Sequence, residues 1–233
     1  MTLSILSLDE TTGTLAAAAA TGKLCVGGWV LRGCIESGLV ASQGTAPSTF
    51  WRDDALRRMH AGERAEAVVA ALSGADAGNG YRQMIALDRT GGTGGHTGKD
   101  SIPHAEHHCR PGFAVAGNML AGPEVLEAMI AAFAAPAPHP ADRMLAVLEA
   151  AETVGGDRRG LQSAALLVLS PDRPPLDLRV DFDPAPLSAL RALCERAHLP
   201  SYQEWLAELP VLSDRFRTPP GDSRRPRAHG RSP

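Results

Sequence analysis

The 233-residue chain is 44% hydrophobic and 21% charged, with a formal net charge of −3 at pH 7, the balance of a soluble globular protein with one sizeable core. That charge argues against a nucleic-acid surface, and no apolar run approaches the length of a membrane span. Cys25, Cys34, Cys109 and Cys194 form no disulfide framework and no secretory leader is legible, so the thiols read as reduced and the compartment as the cytoplasm.

The chain opens with two β-prone runs, 2–8 and 14–20. They are joined by Asp9-Glu10-Thr11-Thr12-Gly13, which has the chemistry of a hairpin loop. Two further runs, 24–32 and 38–43, follow. Four strands with no intervening helix predict antiparallel pairing, because parallel strands need long crossovers. Helices are expected at 51–60 and 63–72, split by Ala61-Gly62, and then a glycine-rich loop at 73–80. Strands are expected at 82–87, 92–97 and 113–118. Pro123 suits the first turn of the next helix, in which Leu126, Met129, Ile130 and Phe133 form one buried stripe.

A proline-rich break separates that helix from another at 141–151. An apolar strand, 163–169, precedes a helix marked by Leu187, Leu190, Cys194 and Ala197. This order predicts a single α+β domain over 1–216, a four-layer αββα sandwich with two antiparallel sheets between helical layers. Its core spans about 2–170, with a C-terminal helical extension at 184–209. The Pro/Arg-rich residues 217–233 read as a disordered tail.

Thr2 stands one residue from the start. Trimming of Met1 would leave a free amino-terminal threonine, carrying a nucleophile (Oγ) and a weak base (its α-amine) on one residue. The plainer reading is that Thr2 merely starts a strand. Asn118 ends a strand between Gly117 and Gly122, where its amide suits either an oxyanion or a turn. In Gly155-Gly156-Asp157-Arg158-Arg159-Gly160, Arg158 or Arg159 suits a substrate carboxylate, with Asp157 orienting the arginine or the terminal amine; a loop-pinning network is the alternative.

Ser42-Gln43 and Arg82-Gln83 are substrate-binding candidates of which alternation allows one inward residue per pair, and Gln162 is a weaker one. His96 suits a general base. The run from His104 to Cys109 resembles a metal loop but lacks a second ligand-bearing segment, so no metal is assigned there.

Several stretches, TLSILSLDETTG, AAAATGKLCVGGWV, GLVASQG, YRQMIALD, AGNMLAG and GGDRRGLQSAALLV, resemble a bacterial family known as domain of unknown function 1028. That family is grouped with the amino-terminal-nucleophile (Ntn) hydrolases. The resemblance implies an αββα sandwich and amide-bond hydrolysis by the first residue of the mature chain, here Thr2. Many relatives carry Ser-Lys where this chain has Thr21-Gly22, and often Thr-Gln in place of Ser42-Gln43. The implied protein acts on a small-molecule amide, needs no cofactor, and has no nucleic-acid or membrane partner. Its helix pairs leave room for a homodimer without requiring one. The alternative is a non-catalytic binding or assembly module on the same fold, holding a small acid through Arg82 or Arg158.

Overall fold

The computed structural model describes residues 1–155 and 160–219. The predicted tail beyond 219 and the predicted Asp157 and Arg158 therefore lie outside the described residues.

Strands β1 (Thr2–Asp9) and β2 (Thr14–Thr21) form the expected hairpin, with Asp9 opposite Thr14 and Thr2 opposite Thr21. A helical turn, α1 (Val26–Trp29), leads to β3 (Leu31–Cys34) and β4 (Gly38–Gly44). Helices α2 (Thr49–His60) and α3 (Ala65–Ala75) follow, then β5 (Arg82–Asp88), β6 (Thr93–Thr97), β7 (Glu106–Arg110) and β8 (Phe113–Asn118). The chain continues through α4 (Glu124–Ala134), α5 (Pro140–Thr153), β9 (Ser163–Ser170), β10 (Arg173–Val180), α6 (Pro186–Ala197) and α7 (Pro200–Ala207).

The strands form two antiparallel sheets, a large one of order β10-β9-β2-β1-β8-β7 and a small one of order β3-β4-β5-β6. Side-chain alternation along each strand then builds the layers. In the large sheet Leu3, Ile5, Ala16, Ala18 and Val115 face a helical layer of α4, α5 and α6. Leu6, Ala17, Ala19, Ala114 and Ala116 face the small sheet, meeting Leu39, Ala41, Ile85 and Leu87. On the far side of the small sheet, Val40, Met84 and Ala86 pack on Trp51, Ala55, Val68 and Val69 of α2 and α3. The result is an αββα sandwich. No described helix is long and apolar enough to cross a membrane.

Three segments differ from expectation. The run 24–32 is not one strand. Cys25 is left-handed (φ 60°), Val26 N–H donates to Ser163 Oγ, and the chain turns through α1 on its way from the large sheet to the small one. Gly27 is required there: a Cβ would sit 2.8 Å from that of Ala165. β7 and β10 were not anticipated, and both are edge strands. Edge pairing tolerates the half-exposed polar run Glu106–Arg110, and the Pro174-Pro175 pair that would be excluded from a sheet interior.

Asp88, buried at the end of β5, ties the next turn to the start of α3. Its Oδ1 accepts from Thr90 N–H (3.0 Å), Thr90 Oγ1 (2.6 Å) and Gly92 N–H (3.0 Å), and its Oδ2 accepts from Ala65 N–H (3.0 Å). Burial pushes the Asp88 pKa up, but these hydrogen bonds outweigh it and hold the carboxyl below its ordinary value. A group with a depressed folded-state pKa stabilises above its unfolded value and loses that contribution as pH falls through the folded one. Asp88→Asn puts an NH2 against N–H donors and is expected to cost about 2 kcal/mol in urea unfolding at neutral pH. The gap between the two proteins should close below about pH 4; a gap independent of pH would assign the loss to packing instead.

Candidate functional site

The face of each strand decides which candidate residues meet. On β1, Thr2 shares the inter-sheet face with Ser4 and Leu6, and on β2 and β8 the same face carries Thr21 and Asn118. On β4 and β5 of the opposite sheet, Gln43 and Gln83 face inward beside Ala41 and Ile85. Both sheets therefore end in uncharged polar side chains around Thr2. Ser42 and Arg82 fall on the outward face. Ser42 Oγ donates to Ser48 O (2.8 Å), at the cap of α2, and Arg82 pairs with Asp76 (2.6 Å) and donates to Ala46 O (2.6 Å).

Gln83, fully buried, organises the cluster. Its Nε2 shares two hydrogens among Gly117 O (2.9 Å), Glu106 O (3.0 Å) and Thr97 Oγ1 (2.9 Å). Its Oε1 accepts from Gln43 Nε2 (2.7 Å) and Asn118 Nδ2 (3.1 Å). Gln43 Nε2 also lies 3.4 Å from Thr2 O. Thr97 Oγ1 continues the network to His107 Nδ1 (2.8 Å), an imidazole whose pKa is pushed below its ordinary value by burial and by the neighbouring His96 and His108. Two buried atoms here, Gln43 Oε1 and Ser4 Oγ, have no partner among the described residues. Buried polar atoms of that kind are rare outside functional sites or water-filled spaces.

Thr2 is half-buried, and its Oγ1 lies 2.9 Å from Thr21 Oγ1. Thr21 Oγ1 in turn donates to the Met1 carbonyl (2.8 Å), which also accepts from Gly22 N–H (3.3 Å). Since the Thr21 proton is committed to Met1 O, the Thr2 hydroxyl is the donor in the Thr2–Thr21 bond. The Met1 side chain is buried in the apolar cluster of Leu3, Leu120 and Val125, and its nitrogen lies 3.7 Å from Met119 Sδ. Met119 itself is left-handed (φ 56°), which costs a non-glycine residue roughly 1–2 kcal/mol.

Of the remaining candidates, Gln162 lies beside the cluster through its backbone, N–H to Thr21 O at 2.9 Å, and its side chain bonds no described residue. His96 bonds Asn79 O (3.1 Å) and packs edge-on to Trp51, away from Thr2. Sequence reasoning missed Thr21 and Thr97 as partners in this cluster. The Thr21 contact was accessible from the hairpin alone, because pairing Asp9 with Thr14 fixes Thr21 opposite Thr2.

The sequence profile of a family of unknown function, DUF1028, matches residues 2–190. The chain belongs to this family. A crystal structure of another DUF1028 protein, SPO2555 from Silicibacter pomeroyi, is similar with a TM-score of 0.88 and 44% sequence identity, covering 93% of this chain and 98% of that one. No curated protein matches at a significant level.

In this DUF1028 chain Gln83→Leu would orphan the Gly117 and Glu106 carbonyls together with the Gln43 and Asn118 amides. Each buried orphan costs about 1–3 kcal/mol, so a loss of at least ~3 kcal/mol is expected in denaturant unfolding. Ser42→Ala should cost no more than ~1.5 kcal/mol. Equal losses would contradict the assigned roles.

Proposed function

We propose that the protein is an Ntn-type amidohydrolase that cleaves the C–N bond of a small amide or peptide-like substrate, with Thr2 as nucleophile once Met1 has been removed. The observation that carries this reading is the arrangement around the Met1–Thr2 link. The Met1 carbonyl oxygen rests between Thr21 O–H and Gly22 N–H, and the Thr2 hydroxyl sits against the same Thr21. Loss of Met1 frees the Thr2 amine, vacates the volume of a buried side chain, and leaves those two donors without their acceptor. A substrate carbonyl placed beside the new amine takes the same two donors. The αββα sandwich, the architecture that the resemblance implied, is compatible with this reading.

Thr2 Oγ attacks the substrate carbonyl carbon while the neutral α-amine accepts its proton. Negative charge develops on the carbonyl oxygen, toward Thr21 O–H and Gly22 N–H. Collapse breaks the C–N bond and the ammonium returns its proton to the leaving amine. Water then attacks the Thr2 ester, again losing a proton to the α-amine, and release of the carboxylic acid restores Thr2. Asn118 and Gln43, both hydrogen-bonded to Gln83 Oε1, hold the far wall in place.

The test begins with the intact mass of protein expressed without an amino-terminal tag, which should correspond to a chain starting at Thr2. Quantitative retention of Met1 would sink the mechanism. Against a panel of small amides, Thr2→Ala should abolish turnover, Thr2→Ser should keep part of it, and Thr21→Val should lower kcat by roughly 10²-fold. The rate should rise with pH to a plateau through an apparent pKa near that of an α-amine, about 7.7–8.0, because only the neutral amine accepts the proton. Turnover that survives Thr2→Ala would point to another nucleophile.

A further inference from the structure

A second cluster of reactive side chains lies at the opposite end of β1, roughly 23 Å along a strand of this length from Thr2. A groove of about 990 Å³ opens there between the β1–β2 turn, β10 and the ends of α5, α6 and α7, lined by Asp9, Thr14, His139, Arg173, His198 and Arg217 among others. His139 is the residue before α5, Asp142 lies in the first turn of that helix, and His198 is the residue after α6. One ligand-type atom from each of the three lies within 4.8 Å of the others. The two imidazoles face each other with ring centroids 4.4 Å apart.

We propose that His139, Asp142 and His198 bind a divalent cation of the zinc class at the wall of this groove. The donor set is two imidazoles and one carboxylate, suited to zinc and its first-row neighbours and ill suited to calcium or magnesium, which prefer all-oxygen shells. Ligand atoms about 2.0–2.1 Å from a tetrahedral zinc lie roughly 3.4 Å apart, so the three groups need to close by little more than an ångström. His139 is exposed and Asp142 and His198 are half-buried, which leaves each side chain room for that adjustment.

None of the three spends its side-chain donor or acceptor atoms on a hydrogen bond or ion pair with another described residue. Elsewhere on the same helical layer, Arg191 is paired with Glu149. Helices α5 and α6 pack face to face through their apolar sides, so the cation would join two elements whose relative position is already fixed. Three protein ligands leave a coordination position open toward the groove, as in zinc sites that bind or activate a small molecule. This site shares no residue with the Thr2 cluster and stands or falls without it.

The experiment uses the full chain, freed of any histidine tag and stripped with a chelator, then equilibrated with Zn²⁺ and dialysed. Elemental analysis should give one zinc per chain, and Co²⁺ in its place should give the visible absorption of a tetrahedral site. His198→Gln and Asp142→Asn, close in side-chain volume to the residues they replace, should each weaken Zn²⁺ affinity by roughly tenfold or more in calorimetric titration, while melting of the metal-free proteins stays close to wild type. His104→Ala/His108→Ala should bind as wild type does, because those rings flank Glu106 at 3.7 and 3.9 Å at β7, the edge of the large sheet opposite β10, and form no such cluster among the described residues. Absence of retained zinc, or affinity unchanged in both variants, would overturn the assignment.

Discussion

The neutral amide of Gln83 crosses the interface between the two sheets and satisfies carbonyls at the ends of two strands of the other sheet. Strand ends at the mouth of a sandwich leave backbone groups that need either water or a side-chain partner. An amide supplies donors and an acceptor together, with no charge to desolvate. Everything around Thr2 follows from that. The Gln83 oxygen orients Gln43 and Asn118, and these approach the first residues of β1 from the facing sheet and the neighbouring strand.

The two ends of the β1–β2 hairpin are chemically unlike. At the Thr2 end, hydroxyls and amides gather on the inter-sheet face while Met1 is buried on the other face of the sheet. At the Asp9 end, imidazoles, carboxylates and arginines border an open groove. One hairpin, gripped by β8 on one side and β9 on the other, spaces them rigidly. The helices contribute differently too. α2 and α3 lend the small sheet an apolar cover, and α5 and α6 do the same for the large sheet while presenting their ends to the groove.

Much of this fold was legible in the sequence where periodicity was strong. The hairpin, both helix pairs and the central strands of each sheet announced themselves by alternation or by a stripe such as Leu126, Met129 and Ile130. The edge strands did not, because Glu106–Arg110 and Arg173–Val180 bury too little to need an apolar face. The segment 24–32 misled because Val26, Trp29 and Val30 read as strand formers, whereas the close approach of Gly27 to Ala165 is a tertiary demand. Among candidate site residues, Thr2, Asn118, Gln43 and Gln83 were named from sequence and meet in one cluster. That Ser42 and Arg82 turn away depended on the strand faces, which one chain does not reveal in advance. His139 and His198 carry no motif spacing, and only the packing of α5 on α6 brings them together.

Strand β2, Thr-Leu-Ala-Ala-Ala-Ala-Ala-Thr, is buried at every position. Alanine is the strongest helix former and a weak strand former, so the local preference of this segment opposes its native conformation. Small side chains let the small sheet and the helical layer approach from both faces, but they contribute little cross-strand packing of their own. The strand is therefore held by its neighbours, and one of them, β9, pairs Leu15 with Leu169 from the far end of the chain. During synthesis, β2 remains a one-sided partner of β1 until the residues of β9 have left the ribosome. Assembly of the large sheet is thus a late, non-local event, and a nascent chain ending before β9 should show helical signal across its alanine run instead of protected strand amides.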